Sequence, residues 1–95
     1  MNGITATVWD VITDNESLLA ELTAIMCKEY KPFLSQEQTL QVNTHQLEQH
    51  MLEQMTTWYE WLPDTPINHI GGELAMAVLD AVEWSLVAEH LLASV

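Results

Sequence analysis

Arginine is absent from this chain and lysine occurs only as Lys28 and Lys31, against 14 Asp and Glu, giving a formal net charge of −12. A protein that tracks a phosphate backbone needs several cations on one face, so direct nucleic-acid binding is excluded as an expectation. A basic membrane-surface helix is excluded for the same reason. Charged residues are only 17 % of the chain, so the imbalance comes from missing cations rather than surplus acids. Cys27 is the single cysteine, which leaves no internal disulfide to form and gives no sign of an oxidising compartment. Within a helical pattern Cys27 is expected to be a buried or half-buried structural residue. No apolar run approaches the ~18–20 residues of a membrane span. Even the greasiest stretch is cut at Asp80, Glu83 and Glu89. Residues 1–10 carry neither a basic segment nor a continuous apolar core, so they do not read as a signal peptide, and a cytoplasmic protein is expected.

What is present fits one helical domain over residues 1–95. Hydrophobic residues make up 48 %, enough for a packed core. Residues 4–12 alternate small or polar with apolar side chains, yet no second alternating run exists to pair with a strand, so residues 1–12 are expected to form an arm, extended or briefly helical. Thr13-Asp14-Asn15-Glu16 fits a capping box opening a first helix over about 14–30, with the lysines in its last turn and Pro32 beyond it. Ser35-Gln36-Glu37-Gln38 fits another, opening a helix over about 36–62. Along that helix Leu40, Leu47, Met51, Met55, Trp58 and Leu62 form a seam, and at 1.5 Å per residue it would be roughly 40 Å long and overhang a domain of this size. Pro63-Asp64-Thr65-Pro66 stops it and starts a third helix over about 66–94, with Asp64 or Thr65 as cap. Gly71-Gly72 either interrupts this helix or marks where its main body begins.

From Glu73 to Val95 nearly every position is apolar, and Glu73, Asp80, Glu83 and His90 collect in one sector about 100° wide. A rod apolar over most of its circumference must be enclosed, and two companion helices from one short chain leave it partly bare. The expected architecture is therefore all-α, a helical hairpin or three-helix protomer with a short N-terminal arm that completes its core by homodimerisation.

Several constellations bear on chemistry. His45-Gln46-Leu47-Glu48 and His50-Met51-Leu52-Glu53 are His-x-x-Glu units, but di-iron bundles use the reverse order and a five-residue offset turns the two pairs apart, so they are expected to face solvent. His69 and Glu73 stand four apart. Glu73, Asp80, Glu83 and His90 are the candidate metal ligands. Within them Asp80-Ala81-Val82-Glu83 resembles, in reversed order, the Glu-x-x-Asp that helps collect magnesium in all-α nucleotide pyrophosphohydrolases of the MazG and dimeric dUTPase type. The Glu-x-x-Glu of those enzymes is missing, and family membership is not assigned. No Gly-x-Ser-x-Gly elbow occurs, and Gly71-Gly72 lacks a Walker lysine and is followed by Glu73, which repels a phosphate. An enzyme is therefore not the expected reading, and no cofactor is expected, magnesium being the alternative.

The aromatic cluster Trp58, Tyr59 and Trp61, with Glu53, Glu60 and Asp64 around it, is the candidate partner-binding surface. Large aromatics offer contact area at modest entropic cost, and acidic neighbours select cations. The expected function is a small acidic interaction protein that binds a basic protein, in the manner of a nucleic-acid mimic or an inhibitor or antitoxin such as mobile elements carry. The alternatives are the magnesium-dependent hydrolase and a structural homodimer with no other partner.

Overall fold

A computed structural model describes residues 1–95, and every regular element in it is a helix. Of the two forms expected for the N-terminal residues the structure has the helical one: α1 spans Gly3–Asp14, started by the Asn2 side chain accepting from the Thr5 amide. With no second strand available, helix formation is the way this segment satisfies its own backbone. Asn15 ends α1 and caps α2 (Glu16–Met26), its side chain accepting from Leu18 N–H at 3.0 Å. The expected capping box at Thr13 does not form: the cap falls two residues later as the single Asn15 bond, while the Thr13 hydroxyl donates back to the carbonyls of Trp9 and Asp10.

The second helix also ends earlier than expected, before either lysine. Asn43, on the next helix, donates from Nδ2 to the carbonyls of Met26 and Lys28 at 3.2 and 2.8 Å, taking up acceptors that end-of-helix geometry leaves free. Cys27 consequently lies past the helix and is exposed, not buried. Lys28 stands over the Tyr30 ring and Lys31 pairs with Glu29 at 3.9 Å.

Ser35 and Gln38 form the expected reciprocal capping box, at 3.1 and 2.9 Å, and open α3 (Gln36–Glu60). This helix has 25 residues, about 37 Å of rod. Its seam is buried only in the middle. Leu47 is sealed, Met51 and Met55 are half-buried, and Leu40 and Trp58 at the two ends are open.

The 66–94 helix is two helices, α4 (Pro66–Ala81) and α5 (Trp84–Ala93). Pro66 takes the first helical position behind a Thr65 cap, and α4 runs straight through Gly71-Gly72. The break at Val82-Glu83 contains no Gly or Pro. It is held by groups far away in sequence: Thr5 Oγ1 accepts from Glu83 N–H at 2.9 Å, Asn2 Nδ2 donates to the Ala81 carbonyl at 3.0 Å, and Asn2 N–H donates to the Glu83 carboxylate at 2.6 Å. The Trp84 indole donates to the Leu79 carbonyl at 3.2 Å, capping α4 from within the break.

The break gives the two halves opposite fates. Helix α5 is enclosed by α1, α2 and α3, with Trp84, Val87, Ala88 and Leu91 buried against Ile12, Leu22, Met26 and Leu47. Each fully buried Leu or Val of this kind stabilises by about 1.5–3 kcal/mol. Helix α4 lies on α3 and α1 only. Glu73 and Asp80 on α4 therefore do not share a stripe with Glu83 and His90, as one continuous helix would require.

Candidate interaction surface at the α3–α4 corner

The turn between α3 and α4 is built to hold its shape. Thr65 accepts from Asn68 N–H at 3.3 Å, and Asn68 Nδ2 donates to the Pro63 carbonyl at 2.8 Å, so the third helical residue ties back to the loop before the cap. His69 sits one position further on. Its Nδ1 meets the Tyr59 hydroxyl at 2.8 Å and its Nε2 meets Asp64 Oδ1 at 2.5 Å. A neutral imidazole satisfies both only by donating from Nε2 to the carboxylate and accepting from the phenol at Nδ1. The Tyr59 ring presses on α4 at Gly72, where a Cβ would fall 1.9 Å from ring carbon Cε2.

A shallow cleft of about 210 Å³ lies beside this chain of contacts, bordered by Glu60, Leu62 and Pro63 as well. The order Tyr, His, Asp resembles a proton relay, but the His69 and Asp64 side chains are 62 % and 90 % exposed. Water screens charge at such positions, so the arrangement fixes the corner rather than arming a nucleophile. His69 pairs with Tyr59 and Asp64 and not with Glu73, the neighbour suggested by helical spacing.

Around this rigid turn the aromatic and acidic candidates fall together. Trp61 is 83 % exposed and Trp58 47 % exposed. Trp58 occupies a seam position, yet α3 has by then run past the helices that cover the seam. Glu53, Glu60 and Asp64 are all exposed, whereas Tyr59 is half-buried and belongs to the scaffold rather than to the open surface. The chain's two lysines lie just before α3, at its other end, and no Lys or Arg follows Lys31. The corner is thus the pole of the molecule where negative charge has no nearby compensation.

The candidate metal ligands are not brought together. Glu73 and Asp80 project from α4 into solvent, Glu83 is engaged by Asn2, and His90 packs edge-on against the Trp9 ring, its Nδ1 2.8 Å from the Leu86 carbonyl. No three His, Cys, Asp or Glu side chains stand where they could share an ion. The His-x-x-Glu units do not pair internally either. His50 instead approaches Glu21 of α2 at 3.3 Å, close enough for charge attraction but without hydrogen-bond alignment, while His45 is exposed.

Comparison of the chain with protein family models, curated proteins and solved structures gives no match. No helix is long and apolar enough to cross a membrane.

Proposed function

We propose that this protein is a small acidic interaction module that docks on a basic protein through the α3–α4 corner and acts as a homodimer. The observation that carries the reading is Trp61, left 83 % exposed on a turn braced by three separate side-chain ties, with Glu60 and Asp64 at the same turn and Trp58 and Glu53 exposed further back along α3. An aromatic side chain held ready on a rigid support loses little entropy on binding, which is the setting of an interface hot spot. The carboxylates around it attract a cationic partner over several ångströms and repel phosphate. Occupation of the nucleic-acid-binding groove of a basic protein, or inhibition of a basic enzyme, is the role this chemistry suits, by analogy of charge and size.

Affinity capture with the purified protein at low ionic strength, repeated at high salt and with Trp61→Ala and Glu60→Gln/Asp64→Asn, tests the reading. A basic protein retained by the wild type, released by salt and lost by both variants is the expected result. Retention that is indifferent to salt and to the corner substitutions overturns it.

A further inference from the structure

The chain exposes more surface than a compact monomer should. Its accessible area is 6491 Å², whereas a monomer of 10.8 kDa is expected to show about 5,500 Å². Its radius of gyration is 14.7 Å where about 12 Å is expected for this length. The surplus area, on the order of 900 Å², is close to the ~800 Å² that each partner contributes to a stable interface.

One uncovered apolar face lies along α4. Ile67, Ile70, Leu74 and Val78 are 73, 56, 62 and 41 % exposed, and they follow one another by helical spacing along the side turned away from α3. Gly71, Ala77 and Ala81 complete a purely aliphatic sector roughly 120° wide, at about 100° per residue. Glu73 and Asp80 lie along one edge of it, outside the sector. At the C-terminal end of the stripe, Val78 continues across a groove onto Ile4 and Val8 of α1. Soluble monomers rarely leave so long an aliphatic stripe uncovered.

The stripe is self-complementary. Reversed on itself about Leu74, it sets Ile67 opposite Ala81, Ile70 opposite Val78, Gly71 opposite Ala77, and Leu74 opposite its own copy. Ile67 meets the small Ala81, Ile70 and Leu74 meet aliphatic partners, and the Gly71–Ala77 pair lets the backbones approach. A two-fold axis requires this property of a surface, since one patch must serve as both halves of the contact. We infer that α4 pairs antiparallel with α4 of a second copy, with the two-fold axis passing by Leu74. This rests on the self-association stated above and names the surface that performs it. The arrangement sends the two α3–α4 turns to opposite ends, Thr65 to Thr65 roughly 27 Å apart along the paired helices, so the dimer meets its partner at two points.

Sedimentation equilibrium on the full chain and on Ile70→Glu and Leu74→Glu tests the assignment, with circular dichroism as a check on folding. Both positions face solvent in the protomer, so helix content should hold. The wild type should be a dimer that tightens as salt screens its charge, the reverse of the salt effect on partner capture. Each variant should weaken the dimer by about 100-fold or more, since the symmetry inserts two unpaired carboxylates. In a Cys27→Ser background, Leu74→Cys should cross-link to its copy under mild oxidation, whereas Glu89→Cys on α5 should not; this arm decides the case if the Glu variants unfold. A wild type that stays monomeric at all concentrations refutes self-association altogether. A dimer that survives both Glu variants, or fails to cross-link at residue 74, refutes this face while leaving self-association standing. Partner capture lost only by the corner variants keeps the docking proposal separate from both outcomes.

Discussion

Adjacent glycines at 71 and 72 should respond to alanine with opposite signs. Both lie inside α4 with negative φ, so alanine can adopt either backbone conformation. Helix propensity alone favours each substitution by about 1 kcal/mol. At Gly71 nothing in the protomer lies within 4 Å of the added Cβ, and in a monomeric Leu74→Glu background Gly71→Ala should realise most of that gain. At Gly72 the added carbon would stand 1.9, 2.2 and 2.8 Å from three atoms of the Tyr59 ring. A phenol cannot bend away from such a contact; the whole ring must swing out or α4 must lift. Overpacking of this kind costs about 1–3 kcal/mol, and the displaced hydroxyl gives up its bond to His69, a further ~0.5–1.5 kcal/mol. Set against the propensity gain, Gly72→Ala should destabilise by about 1–3 kcal/mol. Urea unfolding of both variants at one protein concentration measures the difference, and for a domain of this length each kcal/mol also moves Tm by about 4–8 °C. The decisive arm is Tyr59→Ala, because in that background Gly72→Ala should become stabilising, by about 1 kcal/mol. A Gly72→Ala penalty of unchanged size without the ring would refute the proposed packing of α4 on α3.

Two further substitutions probe contacts that join distant parts of the chain. Thr5→Val keeps the shape of a fully buried side chain but leaves the Glu83 N–H without its acceptor; a loss of about 1–3 kcal/mol is expected, with faster hydrogen exchange at residues 82–84, and an unchanged midpoint would show that the helix break does not depend on α1. Asn43→Leu should cost about 1–2 kcal/mol by orphaning the Met26 and Lys28 carbonyls, whereas Asn43→Asp should cost more, because it aims a buried carboxylate at the same carbonyls with no donor to offer; denaturant midpoints in the reverse order would refute the role of Asn43 as the stop of α2.

The contrast between Ser35 and Asn15 indicates what could be read in advance. Ser35 and Gln38 bond each other across three residues, so the start of α3 follows from local chemistry alone. The same holds for Thr65-Pro66 at the start of α4. Near Asn15, three polar residues in a row competed for one cap, and Asn15 took it while the Thr13 hydroxyl turned back to the carbonyls of its own helix. The aromatic-acidic corner was visible as composition, but the Tyr59–His69–Asp64 chain of contacts was not. Tyr59 and His69 are ten residues apart on different helices, and no periodic pattern connects them.

The amino-acid order by itself settled the helical class, the long rod of α3, the lack of cations and the excess of aliphatic side chains between residues 66 and 95, since these depend on periodicity, capping and counting within a few turns of backbone. Only the tertiary structure decided that this excess is shared between a wrapped helix and a bare one. The cause is long-range bonding at residues 81–83: beside the local bond from the Trp84 indole to Leu79, Asn2 and Thr5 supply the partners of the Ala81 carbonyl and of the Glu83 N–H and carboxylate.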